Sequence, residues 1–284
     1  MISVAVTTYN GEKYIEKQLQ SILQQSLPVD EIIISDDGST DQTVSVIRRV
    51  IAQNKTKTSI RLRQNASNVG YTENYYLTIR ETAGEYIFLA DQDDIWHTDK
   101  VKKTIQIMNQ NKCVAICTNF SLIDQNDAPI SDETQFQTSP FLQKISCKEL
   151  TPISFDQLVY GNVAQGCTYC FTRQVCDAYL KIHSPYLIHD HQILFIATLV
   201  GSVYFYNEKL IKYRIHAGNA IGFHKKGEHA VFVPRKPAKK PTMVCFMEDV
   251  DRVIPIPNKW KYTLLYYLRI PYIASIVRNL KRGS

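Results

Sequence analysis

Short apolar runs alternate with amphipathic stretches through the first third of the chain. Ile2 to Thr8 is a β-branched run ending in the polar turn Thr7-Thr8-Tyr9-Asn10-Gly11. A strand that feeds such a turn and then a helix opens an α/β unit. The helix is expected from about Glu12 to Gln25, with Tyr14, Ile15, Leu19, Ile22 and Leu23 on one face, and Pro28 stops it. Glu31 to Ser35 reads as a second buried strand and runs into Asp36-Asp37-Gly38-Ser39-Thr40-Asp41. Ser39 or Thr40 is placed to cap a helix from about Asp41 to Ala52. A third strand spans Ser59 to Gln64, a turn follows through Asn68 and Gly70, and a helix runs from Tyr71 to Thr82. Tyr86 to Ala90, entered through Ala83-Gly84-Glu85, has the unbroken apolar character of a strand buried on both faces. This alternation predicts the α/β class, with a mostly parallel sheet and right-handed crossovers. Ligands of such sheets sit beyond the carboxyl ends of the strands. The polar clusters Thr8–Asn10, Asp36–Ser39, Asn68 and Asp91–Asp94 all fall at those ends.

Beyond residue 110 the pattern is less regular. Lys112 to Asn119 reads as a strand, and Leu122 to Lys148 as a long, polar, mobile segment over the site. Ser154 to Tyr160 reads as a short helix, and Gly161 to Thr168 as a glycine-bearing approach to a strand at Tyr169–Phe171. Tyr186 to Gln192 precedes an apolar helix, Ile193 to Val200, and Val203–Tyr206 with Lys209–Tyr213 reads as a hairpin. The chain divides into a domain at 1–222, with halves 1–110 and 111–222, and a C-terminal helical extension at 223–284. From Lys259 onward aromatic and aliphatic residues interleave with Lys and Arg, a pattern suited to a helix on an anionic membrane surface, or to one packed on the domain or self-associating.

Composition adds constraints. A net charge of +6 over 284 residues is too weak to argue for nucleic acid. Seven scattered cysteines, with one lone C-x-x-C at Cys167 and Cys170, suit reduced, partly buried thiols in a reducing compartment. The N-terminus enters a strand directly, without the pattern of a signal peptide, and no apolar run is long enough to cross a bilayer. These features favour a cytoplasmic location.

The chemistry concentrates at Asp91, Asp93 and Asp94. Three carboxylates within four residues repel one another, and a hard cation, Mg2+ or Mn2+, resolves that repulsion. The plain alternative is an acidic turn in which Asp94 or Thr98 caps a helix running from Thr98 to Asn109. Glycine-rich dinucleotide and P-loop motifs are absent, so phosphate charge has to be met by another device, such as a cation at Asp91 and Asp93. His189 and His191 have no further ligand beside them and read as orienting or structural residues.

Thr7 to Gly11, Ser35 to Asp41, Asn68-Val69-Gly70 and Asp91-Gln92-Asp93-Asp94, in that order, resemble glycosyltransferase family 2 over roughly residues 1–220. The form Asp91-Gln92-Asp93-Asp94-Ile95-Trp96 is similar to the bacterial rhamnosyltransferase-like branch. The resemblance implies the GT-A fold and a metal-dependent inverting transfer, with Mn2+ or Mg2+ as cofactor. Its donor would be dTDP-rhamnose and its acceptor a hydroxyl of a growing, lipid-linked surface polysaccharide at the inner face of the cell membrane. Transfer of glucose, galactose or N-acetylhexosamine from a UDP-sugar is the alternative. A nucleotidyltransferase would want a basic, glycine-rich loop near the first strand, and Thr8-Tyr9-Asn10-Gly11 does not supply one. A non-catalytic carbohydrate-binding protein of the same fold is the remaining class.

The resemblance also implies roles for particular residues. Thr8, Asn10, Asn68 and Gln92 would line the nucleotide pocket, with Tyr9 near the base and Asp37 reading the base and ribose beside Asp36. Asp91 would sit near the sugar and help hold the metal, and Asp93 would be its main ligand. Gly161, Asn162, Gly166 and Cys167 would line the sugar and acceptor pocket, with His189 beside them. Asp190 matches the family's general base, and the segment from Tyr213 to Asn219 would bring Arg214 to the diphosphate and His216 to the metal or a phosphate.

Overall fold

The structure is a computed structural model and describes residues 1–131, 148–216, 218 and 240–267. Its first half is a parallel sheet built in the expected order. Strands β1 (Ile2–Thr8), β2 (Glu31–Asp36), β3 (Ser59–Gln64) and β4 (Tyr86–Ala90) alternate with helices α1 (Ile15–Leu23), α2 (Thr43–Gln53) and α3 (Tyr71–Arg80). Side chains alternate across β1. Val4 and Val6 join Ile32, Ile34, Leu19 and Ile47 in one core, while Ala5 joins Tyr75, Ile79 and Leu89 in the other. Both faces of β1, β2 and β4 are covered, which is why they read as continuous apolar runs, whereas β3 at the sheet edge is partly exposed.

Register fixes the site. Thr8 pairs with Asp36, Val6 pairs with Ala90, and Asp91 follows directly after β4. Three polar clusters therefore leave the sheet side by side at its carboxyl end.

The second half is mixed. It contains β5 (Ile95–Trp96), α4 (Lys100–Asn111), β6 (Ala115–Ile123), β7 (Leu150–Pro152), α5 (Phe155–Tyr160), β8 (Tyr169–Thr172), α6 (Arg173–Ile182), α7 (His189–Val200), β9 (Val203–Arg214) and α8 (Thr242–Asp251). The sheet order is β3-β2-β1-β4-β8-β6-β9-β5, with β7 also on β9. Strand β8 lies antiparallel between β4 and β6, so the sheet is parallel in its first half and mixed beyond it. Three expectations are corrected here. The hairpin expected at Val203–Tyr213 is one strand, β9, which runs parallel to β6 and slips register after Thr118 to leave Asn207 and Glu208 as a bulge. The helix expected at Ile193 begins at His189, with Ile188 as its N-cap, so Asp190 sits in the first turn. Helix α4 begins at Lys100 after Asp99, and neither Asp94 nor Thr98 caps it. The amphipathic helix α6 was not anticipated.

The C-terminal extension starts inside the same core. Met243, Val244, Phe246, Met247 and Val250 of α8 pack with Phe195 and Phe205. Residues 259–267 form a further helix. Among the described residues no helix is long and apolar enough to cross a membrane. The segment expected to be mobile lies largely outside the described residues, as do Asn219 and the chain beyond residue 267.

Candidate active site

At the end of β1 and β2 the predicted nucleotide residues knit two loops together. Asp36 accepts from Thr8 Oγ1 at 2.9 Å, from the Ser39 N–H at 3.0 Å and from Ser39 Oγ at 2.5 Å. Asp37 accepts from Asn65 Nδ2 and the Val69 and Gly70 N–H groups, each at 2.9 Å. Asn68 Oδ1 accepts the Gly70 N–H in an Asx turn. Asn10, in the left-handed region at φ 49°, receives the Thr40 N–H and donates its own N–H to Ser39. Gln92 bonds both backbone groups of Tyr9, at 2.8 and 3.0 Å, while the Tyr9 ring stays exposed. A side chain at Gly11 would put Cβ 2.2 Å from Gln92 Oε1, so only glycine admits this clasp.

At the end of β4 the carboxylates are less fully bonded. Asp91 Oδ1 accepts the Tyr75 hydroxyl at 2.6 Å. Burial, then the Asp93 charge, lifts its carboxyl to about 6. Asp94 is fully buried, and its Oδ1 accepts the Arg214 N–H at 3.1 Å. Burial first and the neighbouring carboxylates second push it well above the usual carboxyl range. The Cys167 thiol lies within 4.8 Å of the Asp91 and Asp94 oxygens. Burial raises that thiol far above its ordinary value, so it stays protonated and is a poor partner for a hard cation.

Asp93 and His216 form the pair that suits a cation. His216 Nδ1 accepts the Gly218 N–H at 3.0 Å, so in the neutral ring Nε2 carries the proton and points it at Asp93 Oδ2, 2.8 Å away. Two adjacent ligands of an octahedral Mg2+ at ~2.1 Å lie about 3 Å apart. The donor atoms, one carboxylate oxygen and one imidazole nitrogen, are of the right kind for Mg2+ or Mn2+. The residues present therefore fit a divalent cation, and the shared proton stands where it would bind.

Arg214 is placed differently from expectation. It is buried, and its guanidinium donates to Asp93 O at 2.6 Å and Asp124 O at 2.9 Å, pairs with Asp127 at 2.6 Å, and lies 4.6 Å over the Tyr14 ring. It holds the acidic turn in shape from behind.

On the far side, Asp190 comes from the first turn of α7 and lies against the Gly161–Thr168 segment. Burial raises its carboxyl from 3.8 to about 7; the Asp91 charge adds to the rise, and the His191 N–H, the Asn162 side chain and the Gly166 N–H oppose it. A Cβ on Gly166 would sit 3.1 Å from both Asp190 Cβ and His189 Nε2. His189 stacks on Tyr75 at 4.0 Å between ring centroids, and neither ring nitrogen has a hydrogen-bond partner among the described residues. Burial holds it neutral, with its pKa near 3. His191 instead bonds Leu158 O at 2.6 Å and is structural.

Two residues escaped the sequence reading. Tyr75 supports Asp91 with its hydroxyl and His189 with its ring. Nothing in a helix rich in tyrosine singles it out. Lys100 is fully buried, lies 4.8 Å from the Trp96 ring and 5.7 Å from that of Phe88, and is pulled down to about 8 by desolvation. Its signal was a lysine on the apolar face of α4, in line with Thr104 and Met108.

The α/β sheet thus gathers a braced loop pair, an acidic turn with an Asp–His pair of a kind that fits a divalent cation, and a buried carboxyl near neutrality. The profile of Glycosyl transferase family 2 matches residues 3–171, and the chain belongs to that family. It is a glycosyltransferase. It is 28% identical over 230 residues to dTDP-rhamnosyl transferase RfbG of Shigella flexneri, covering 76% of this chain and 73% of that one. Its fold is similar to that of Staphylococcus aureus TarS in complex with UDP-GlcNAc, with a TM-score of 0.64 at 16% identity over 92% of this chain and 69% of that one. A mannosyltransferase of Pyrobaculum calidifontis, solved with GDP-Man and Mn2+, superposes with a TM-score of 0.54 at 17% identity, over 73% and 54% of the two chains. These likenesses establish the GT-A fold. The chain spans between about half and four-fifths of the length of the first curated relatives it matches.

Proposed function

We propose that the protein is a divalent-metal-dependent inverting glycosyltransferase whose general base is Asp190. The observation that carries this reading is the pairing of a near-neutral buried carboxyl, Asp190, with the Asp93–His216 pair across one site. In an inverting transfer the acceptor oxygen bonds to the anomeric carbon from one face while the bond to the donor diphosphate breaks on the other. The acceptor hydroxyl loses its proton to Asp190 in the same step. A base with a pKa near the working pH is both ionised often enough and basic enough for that task. Asp93 and His216, with Asp91 on the sugar side, would hold Mg2+ or Mn2+, which when bound neutralises charge on the departing diphosphate. Asp94, Arg214 and Tyr75 keep those ligands in place.

The donor we favour is dTDP-rhamnose. The Asp91–Trp96 sequence and the likeness to a dTDP-rhamnosyl transferase support it. A UDP-hexose is the second reading, favoured by the likeness to a UDP-GlcNAc-bound neighbour. Asp37 and the loop it braces would face either pyrimidine. The acceptor is a growing bacterial glycan carried on a lipid, which would place the protein at the inner face of the membrane.

The test is a donor panel. Purified protein meets dTDP- and UDP-sugars with Mn2+, Mg2+ or EDTA, read as nucleoside diphosphate release and thermal shift. Metal-dependent release from dTDP-rhamnose alone is the expected result. Release from a UDP-hexose would replace the donor while keeping the mechanism, and neither binding nor release with any nucleotide sugar would overturn the function.

A further inference from the structure

The helix at 259–267 has two unlike faces. Tyr262 and Tyr266, one turn apart, pack inward against the core. Tyr262 meets the Phe155 ring edge-on at 5.0 Å and donates its hydroxyl to Asp156 at 2.6 Å. Trp260, Leu264 and Tyr267 recur at i, i+4 and i+7 on the outside, 71%, 51% and 42% exposed. The outward face of a packed surface helix is ordinarily polar. This one is aromatic and aliphatic.

Charge is distributed to match. Residues 223–284 hold 13 of the 33 Lys and Arg and 4 of the 27 Asp and Glu, a net +9, while residues 1–222 sum to −3. From Lys259 to the last residue there are six basic residues and no acidic one. A second copy of the same face would set like charges against each other, which disfavours self-association. An anionic surface complements it.

We propose that this outer face rests on an anionic lipid bilayer, with Trp260, Leu264 and Tyr267 seated in the headgroup region. The polar rim of a tryptophan and the ring of a tyrosine suit that depth, and the flanking Lys261 gains from anionic lipid. The position of the helix gives the contact a direction. Phe155 and Asp156, its partners on the domain, belong to α5, and α5 runs directly into Gly161 and Asn162, the segment that abuts Asp190. The lipid-facing helix is therefore braced to the acceptor side of the site. That last step rests on the glycosyltransferase reading above; the bilayer contact itself does not.

The test is co-sedimentation of the full chain with vesicles, without donor or acceptor. Vesicles of phosphatidylcholine alone are compared with equimolar phosphatidylcholine and phosphatidylglycerol. Retention on the anionic vesicles only, weakened by salt, is expected. Trp260→Ser with Leu264→Ser lowers that binding about tenfold or more, and Lys261→Glu lowers it several-fold. Both variants keep nucleoside diphosphate release from a soluble donor. Absence of sedimentation, equal sedimentation of wild type and the double variant, or a dimer dissolved by the same two substitutions would each overturn the proposal. Vesicle binding that persists while no donor is turned over would instead count against the enzymatic reading and leave the bilayer contact standing.

Discussion

The two ends of the cleft use the same residue in opposite ways. Beside β1 and β2, Asp36 and Asp37 are buried and take six hydrogen bonds from the chain between them. Beside β4, Asp91 and Asp94 have fewer donors, and beside α7 the donors that face Asp190 from His191, Asn162 and Gly166 do not offset its desolvation; burial raises the carboxyl of each. A carboxylate bonded throughout by its own loops shapes a pocket, whereas one whose ionised form burial disfavours keeps capacity for a cation or a proton. The first arrangement favours stability and the second favours function.

Substitutions on each side sharpen that contrast. Asp190→Asn keeps the shape of the side chain and removes the base. Turnover is expected to fall about 10²–10⁴-fold, with donor affinity in a thermal-shift titration unchanged. Asp93→Ala is expected to abolish the response to added Mn2+ or Mg2+, and His216→Ala to weaken metal affinity about 10–100-fold, both read by titrating the metal against diphosphate release. Gly166→Ala crowds Asp190 and His189, each 3.1 Å from the new carbon. It is expected to lower kcat about tenfold by displacing the base, with little loss of melting temperature. On the other side, Asp36→Ala strips three hydrogen bonds from a buried loop junction and is expected to cost about 1–3 kcal/mol of stability in denaturant unfolding, a larger stability effect than any of the preceding four. If Asp36→Ala left stability untouched, the contrast between the two ends would fail.

A further effect concerns stability and pH. Asp190 titrates near 7 in the folded chain against an ordinary 3.8, so the folded state loses stability as pH rises through about 7 and the buried carboxyl ionises. Asp190→Asn should therefore melt higher than wild type above that pH, and the difference should close as pH falls toward 4. Equal melting at alkaline pH would mean that Asp190 is not held in a desolvated place.

The parallel half of the sheet was readable because buried strands, turns and amphipathic helices each carry a local signature. Ser59 to Gln64 begins and ends where the pattern says it does. The mixed half was not, because its pairings are long-range. Val203 to Arg214 contains Asn207-Glu208, a polar interruption that looks like a turn and is in fact a bulge against β6. Asp91, Asp93 and Asp190 were visible as polar residues at the ends of apolar segments. Arg214 looked like a phosphate ligand, and only the fold reveals that it is buried behind the acidic turn. Tyr75 was invisible because its role depends on which helix face meets the sheet, a matter of packing rather than pattern.

The most direct test is the pH dependence of kcat/KM for the acceptor, measured on wild type and Asp190→Asn at saturating donor and metal. The account predicts that the wild-type value rises about tenfold per pH unit at low pH and levels off near 7, and that Asp190→Asn is slower and lacks that inflection. An inflection near 7 that survives in Asp190→Asn would assign the base to another group and contradict the account at its centre.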